Sequence, residues 1–216
     1  MYNGHELRRA AISLLFPNRC PFCDTVVGMT EYWCENCRSK LPFIEDQPEA
    51  PCPLDGMISC CYYEGIARGA ILRMKNGHYI HAPQAFAVFM AEFGGEMLKN
   101  ADLITAVPGS LKRRLQLGYA HAELIAKYVS KRAKKPYRRI MKSLSVKKEQ
   151  KLLNRRERLE NARNSYKIVN KEHIKDKIIL IVDDVSTTGA TVSAIASLLK
   201  EAGAKQVYAL TFAKTK

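Results

Sequence analysis

Two adjacent carboxylates followed by a run of hydroxyls are the residues best suited to chemistry in this chain. Asp183 and Asp184 come directly after the apolar run 178–182. They are followed by Val185, Ser186, Thr187, Thr188, Gly189, Ala190 and Thr191. Small residues let backbone N–H groups approach a phosphate, and the hydroxyls add donors. Gly189 permits a backbone angle that other residues resist. A helix starting near Thr191 aims its positive end at the anion. Two carboxylates repel a phosphate, so they call for another partner: the 2- and 3-hydroxyls of a ribose, or a magnesium ion. The set therefore reads as a holder for ribose 5-phosphate, with Asp183 and Asp184 as catalytic candidates. The same letters also suit an Asx turn with a Ser or Thr N-cap. The strand before and the helix after favour the phosphate. No G-K-[ST] and no G-x-G-x-x-G accompanies the turn.

A second constellation lies near the start. Cys20 and Cys23 form C-P-F-C, Cys34 and Cys37 form C-E-N-C, and ten residues separate the pairs. Each C-x-x-C turn puts two thiolates on one side of a knuckle, and two such turns complete a tetrahedron around zinc. Four thiolates leave no open position, so the zinc is structural. A redox pair is the alternative, although one redox pair does not need a second. Asp24, Glu31, Trp33, Glu35 and Arg38 are expected to decorate the knuckles. Cys52, Cys60 and Cys61 remain; they read as buried thiols more readily than as a second metal site.

These residues need elements to hold them. The run 178–182 is too short for a helix and reads as a strand buried on both faces, ending where Asp183 leaves the sheet. Further strands are expected at 57–63, 101–107, 138–144 and 206–212, with a short one at 166–169. Helices are expected at 65–74, 83–98 and 192–199, with an amphipathic one that ends the stretch 108–126 and runs to about 131. Gly77 suits the stop of the first of these, and Pro83 the start of the second. Strands alternating with helices predict a parallel sheet. Right-handed crossovers then bring the strand ends to one ligand-binding edge. The fold class is α/β. Residues 1–55 would comprise a short amphipathic helix, the zinc knuckle and a Pro-rich linker over 42–53. Residues 56–216 would form the main domain.

The 216 residues suffice for one full core and a small appendage. The net charge of +14 favours phosphate, nucleic acid or an anionic surface as partner. No apolar run approaches a membrane span. The short apolar stretch before Pro17 lacks a cleavage site ahead of Cys20, so a cytoplasmic protein with reduced cysteines is expected.

The turn 183–191 resembles the phosphoribosyl pyrophosphate (PRPP) motif of type I phosphoribosyltransferases. The whole pattern resembles the ComF family of competence proteins. The spacing of Gln150, Leu153, Arg158, Asn161 and Tyr166 is similar to the family's Q-x-x-L…R-x-x-N…F pattern. Leu72, Arg73, Met74, Lys75 and Gly77 resemble its L-K-x-G segment, and Ala106, Val107 and Pro108 its V-P element. The resemblance implies a type I phosphoribosyltransferase fold behind the zinc knuckle, with Lys75, Asn76 and Gly77 in the pyrophosphate loop. It implies PRPP with Mg2+ as ligand and a role in natural transformation. Partners would then be incoming single-stranded DNA and other competence proteins, such as a DNA translocase. An active phosphoribosyltransferase of nucleotide metabolism or salvage, and a PRPP sensor without turnover, are the other readings. The chain departs from R-G-F-N-Q, having Leu117, Gly118, Tyr119, Ala120 and His121. That removes a cation and two hydrogen-bonding side chains near the site.

Residues 131–163 carry fourteen Lys or Arg against three Glu. Lys147, Lys148, Lys151, Arg155, Arg156, Arg158 and Arg163 are nucleic-acid candidates. They also suit a loop closing over pyrophosphate, or simply a solvated helix face. Tyr137 and Tyr166 are the aromatics at hand for base stacking.

Overall fold

The structure is a computed structural model that describes residues 17–77, 81–109, 120–144 and 164–216. The expected N-terminal helix lies outside these residues. So do the seven basic candidates from Lys147 to Arg163, together with Gln150, Leu153, Asn161 and Leu117.

The element order is α1 (Glu35–Arg38), β1 (Gly56–Tyr62), α2 (Gly65–Lys75), α3 (Ala82–Phe93), α4 (Gly95–Asn100) and β2 (Leu103–Ala106). Then come α5 (His121–Ala133), β3 (Met141–Ser143), β4 (Tyr166–Ile168), β5 (Ile178–Ser186), α6 (Ala190–Glu201) and β6 (Gln206–Lys214). Four strands form a parallel sheet in the order β1-β6-β5-β2. Central β5 explains its own composition: Ile179, Leu180, Ile181 and Val182 are all fully buried. Alternation sends Leu180 and Val182 toward one cluster with Ile71, Phe86, Phe89, Ile125 and Phe212. It sends Ile179 and Ile181 toward a second cluster with Val192, Ile195 and Leu199 of α6. Helices thus cover both faces, as a parallel sheet requires.

Several expectations are corrected. The helix expected over 83–98 is two, α3 and α4, broken at Gly94 and Gly95. Gly95 has φ +40°, and a Cβ on Gly94 would lie 2.4 Å from Leu98 Cδ1, so a continuous helix with ordinary residues does not fit. The strand expected over 138–144 shortens to β3 and pairs antiparallel with β4 in a separate two-stranded ribbon. Tyr137 bridges to the main sheet, at Ile104. The expected strand end at Val182 is also wrong. β5 continues through both aspartates to Ser186 because β6 is long enough to pair with it there, Asp183 opposite Thr211 and Ser186 opposite Lys214.

The Pro-rich stretch runs as a strap along the free edge of β1. Phe43 bridges Cys61, and the Gln47 carboxamide accepts from the Ser59 amide at 2.9 Å while donating to the Ser59 carbonyl at 3.0 Å. With the Ile44 amide donating to the Cys60 carbonyl and the Tyr62 amide to the Pro42 carbonyl, the strap covers a strand edge that would otherwise offer itself to another chain. The knuckle packs against the sheet's helical layer. Phe22 sits 6.1–6.4 Å from Phe86, Phe89 and Phe212. Trp33, expected at the knuckle surface, instead stacks on Phe89 with centroids 3.9 Å apart. Cys60 and Cys61 are fully buried, with burial pushing the Cys60 thiol well up and Cys61 to about 12. Cys52 is exposed.

Candidate functional site

β2 stops at Ala106, level with Val182 of β5, and the Val107 amide donates to the Val182 carbonyl at 3.0 Å. Beyond that point β5 pairs only with β6. Asp183 and Asp184 therefore stand past the end of β2, at the carboxyl ends of parallel strands, where open α/β sheets place ligands. Alternation separates them. Asp184 falls on the Leu180–Val182 side and meets Lys75, the last residue of α2, with Nζ 2.9 Å from Oδ1. Asp183 falls on the Ile179–Ile181 side, and its Oδ1 accepts the Asp184 amide at 2.9 Å. Burial, and then the Asp184 carboxylate, push the Asp183 carboxyl well above the usual carboxylate range, against the opposing pull of the Asp184 amide and Lys75. The pair is thus under-compensated by the protein itself. Each carboxylate offers oxygen ligands of the kind a hard divalent cation takes. Tyr166, on the Asp183 side, is pushed up to about 12 by burial and by that carboxylate.

The turn follows. Ser186 and Gly189 are buried, Thr187 and Thr188 exposed, and Ala190 and Thr191 half-buried. Gly189 is the N-cap of α6 at φ +74° and makes no side-chain cap bond. Thr188 Oγ1 lies 3.4 Å from the Ala190 amide, long for a cap. The Asx-turn and N-cap alternative therefore explains little of the hydroxyl run. A cavity of about 610 Å³ opens beside this turn, between residues 186–189, the strap 47–52 and the C-terminal Lys214, Thr215 and Lys216. Neither aspartate nor Lys75 lines it. The aspartates and Lys75 thus lie outside the cavity that the turn lines. Gly77, at φ +80°, and Asn76 end α2 next to Lys75. Sequence reasoning missed Lys214, Lys216 and the strap. A signal existed for the lysines: a last parallel strand ending in K-T-K must deliver them to the edge that carries the turn. Lys216 is paired with Glu64 at 3.0 Å.

His121 stands at the first residue of α5, buried. Its Nε2 donates to the Met74 carbonyl at 2.9 Å, which joins α5 to the end of α2.

At the knuckle, the Sγ atoms of Cys20, Cys23, Cys34 and Cys37 all lie within 4.8 Å of one another, Cys23 and Cys34 at 3.6 Å. Zinc–sulfur bonds of about 2.3 Å in a tetrahedron require sulfur separations of about 3.8 Å, so the four thiols fit the metal. A hydrogen bond with the Thr25 hydroxyl leads in lowering the Cys23 thiol to about 6, while burial raises Cys20 and Cys37. Among the described residues no other group of three or more His, Cys, Asp or Glu is close enough to share a metal.

Comparison with known proteins fits both parts. Residues 121–216 match the phosphoribosyl transferase domain family, and residues 11–57 the double zinc ribbon domain. The chain is 25% identical over 194 residues to Competence protein F of Haemophilus influenzae, covering 87% of this chain and 82% of that one. Among solved structures, an allosteric regulatory enzyme of purine biosynthesis aligns at TM-score 0.43 and 21% identity, over 60% of this chain and 26% of that one. A purine phosphoribosyltransferase from Pyrococcus horikoshii aligns at TM-score 0.35 and 20% identity, over 62% of this chain and 82% of that one. Among the described residues no helix is long and apolar enough to cross a membrane. A zinc ribbon leading into a phosphoribosyltransferase-type α/β sheet, and similarity to Competence protein F along most of its length, together fit a ComF-like protein.

Proposed function

We propose that this protein binds PRPP or ribose 5-phosphate with magnesium, and acts in natural transformation on incoming single-stranded DNA in the cytoplasm. The observation that carries the ligand reading is the strand end itself. Asp183 and Asp184 stand over the end of β2, Lys75 lies 2.9 Å from Asp184, and the hydroxyl turn follows at once. In this reading the 5-phosphate takes the backbone amides and hydroxyls of 186–191. Asp183 and Asp184 take the ribose hydroxyls and the metal. Lys75, Asn76 and Gly77 face the pyrophosphate. Magnesium, if bound, would supply positive charge that offsets the pyrophosphate.

Calorimetry tests this. Asp183→Asn is expected to weaken PRPP more than inorganic phosphate, and Thr188→Ala to weaken both. Equal losses for the two ligands in both variants would overturn these roles.

The transformation role draws on the similarity to Competence protein F and on the net charge of +14. It expects sequence-tolerant binding of single-stranded DNA through the basic stretch, with log affinity falling against log salt by about 0.7 per phosphate neutralised. Replacing Arg155, Arg156 and Arg158 by Ala should flatten that slope. If the same loop closes over pyrophosphate, PRPP and DNA compete. Absence of DNA binding at low salt would remove this part of the proposal. Other competence proteins, a DNA translocase among them, are the expected partners.

One observation favours a second reading, an active phosphoribosyltransferase. The cavity of about 610 Å³ beside the turn is of a size that holds small molecules and leaves room for an acceptor. Pyrophosphate release across a panel of nucleobases and amines decides between transfer and binding alone.

A further inference from the structure

The last turn of α2 is tied down at three successive residues, each to a different part of the molecule. Arg73 Nη2 donates to the carbonyls of Pro21 and Phe22, both at 2.7 Å. The Met74 side chain is fully buried, and its carbonyl accepts from His121 Nε2 at 2.9 Å. Lys75 Nζ reaches Asp184 Oδ1 at 2.9 Å. The first tie has a particular address. Pro21 and Phe22 are the two residues between the thiols Cys20 and Cys23, so their carbonyl directions are set by the C-x-x-C turn itself. A guanidinium nitrogen offering two hydrogens in a fixed plane suits two neighbouring carbonyls, which a lysine ammonium does not match in geometry.

We propose that Arg73 is a positioning residue that ties the C-P-F-C knuckle to the end of α2, so that the metal-bound knuckle holds Lys75 against Asp184. The zinc ribbon is then part of the ligand site, although no ribbon residue enters it. When the ribbon loses its metal, the two carbonyls lose their fixed directions and Arg73 loses its anchor. The final turn of α2 becomes free to shift, and Lys75 leaves the aspartate. A preorganised cation gives way to a mobile one, and ligand affinity falls because ordering it again costs free energy on binding. The affinity consequence rests on the PRPP reading above; the link from knuckle to Lys75 does not.

The experiment is therefore built on Lys75 itself. Full-length protein of measured zinc content is treated with an amine-acylating reagent, and the rate at each lysine is followed by mass spectrometry. Arg73→Ala is expected to raise the rate at Lys75 about tenfold while exposed Lys99 is unchanged and zinc is retained. Arg73→Lys should fall between. Stripping zinc from the wild type with a chelator should reproduce Arg73→Ala at Lys75. Arg38→Ala removes a different contact between the knuckle and the helices, the pair with Glu92 at 3.2 Å, and should leave Lys75 protected; a general loosening of the ribbon would expose Lys75 in this variant too. Equal Lys75 rates in wild type and Arg73→Ala overturn the proposal. If Arg73→Ala does not fold, equal rates in wild type, Arg73→Lys and zinc-stripped protein overturn it. PRPP calorimetry on the same samples keeps the two claims apart: absent binding to wild type counts against the ligand reading, while the acylation rates still judge the link. With binding present, Arg73→Ala should weaken PRPP about tenfold and spare inorganic phosphate, whose turn α2 does not contact in this way.

Discussion

Asp183 is held at a cost to the fold. Its charged form is disfavoured by burial and by Asp184, so the folded chain binds a proton here more tightly than the unfolded chain does. Stability from this residue is therefore greatest at low pH and falls as pH rises from the ordinary carboxylate range through the raised folded value. Asp183→Asn keeps the shape and removes the charge. It should raise thermal stability at neutral pH by about 1 kcal/mol, a Tm gain of about 2–4 °C, and flatten the pH dependence in that window. Scanning calorimetry over a pH series checks both, and an unchanged or lower Tm would contradict the account. The proposed ligand reverses the balance, because magnesium and sugar favour the carboxylate. Affinity for magnesium PRPP should thus rise with pH through the same window, with proton release on binding. Titration in buffers of different ionisation enthalpy reads that release directly.

At the scale of the element, the turn between β5 and α6 depends on one glycine and on what lies over it. Gly189 has φ +74°, and a Cβ there would sit 2.7 Å from Pro51 Cγ of the strap. Gly189→Ala meets both a disfavoured backbone angle and a collision, so it should destabilise by about 1–3 kcal/mol. Pro51→Gly, combined with it, removes the collision and leaves the angle. Thermal unfolding of the two variants separates the terms: the double variant should recover only part of the loss, and full recovery would show that the angle costs nothing. The glycine was legible in the sequence as a turn former. The strap was not, because its contacts to β1 and to the turn run through backbone edges and one carboxamide, Gln47, which leave no periodic pattern in a Pro-rich stretch.

For the whole molecule, the ribbon and the sheet share one hydrophobic cluster, with Cys20, Phe22 and Cys37 packed among Ile71, Phe86, Phe89 and Phe212. Zinc removal should therefore unsettle more than the ribbon. Cys34→Ser, or chelation of the wild type, is expected to lower Tm by about 10 °C or more and to expose Trp33, now stacked on Phe89. A red shift of its fluorescence with loss of about one zinc per chain checks this; metal loss with unchanged Trp33 emission would mean the ribbon docks without its metal. The cysteine spacing, the apolar run of β5 and the order of aspartates, hydroxyls and helix were decided locally, since tetrahedral thiolate sites, buried strands and strand-to-helix turns each depend on neighbours within a few residues. That was enough for the α/β class and the two candidate sites. The division of Asp183 and Asp184 between the two faces of the sheet, the pairing of Lys75 with Asp184, and the grip of Arg73 on the knuckle carbonyls were decided only by tertiary structure. Each depends on residues 51 to 109 positions apart or on where β2 and β6 stop beside β5, and no local pattern encodes a strand's end relative to its neighbour.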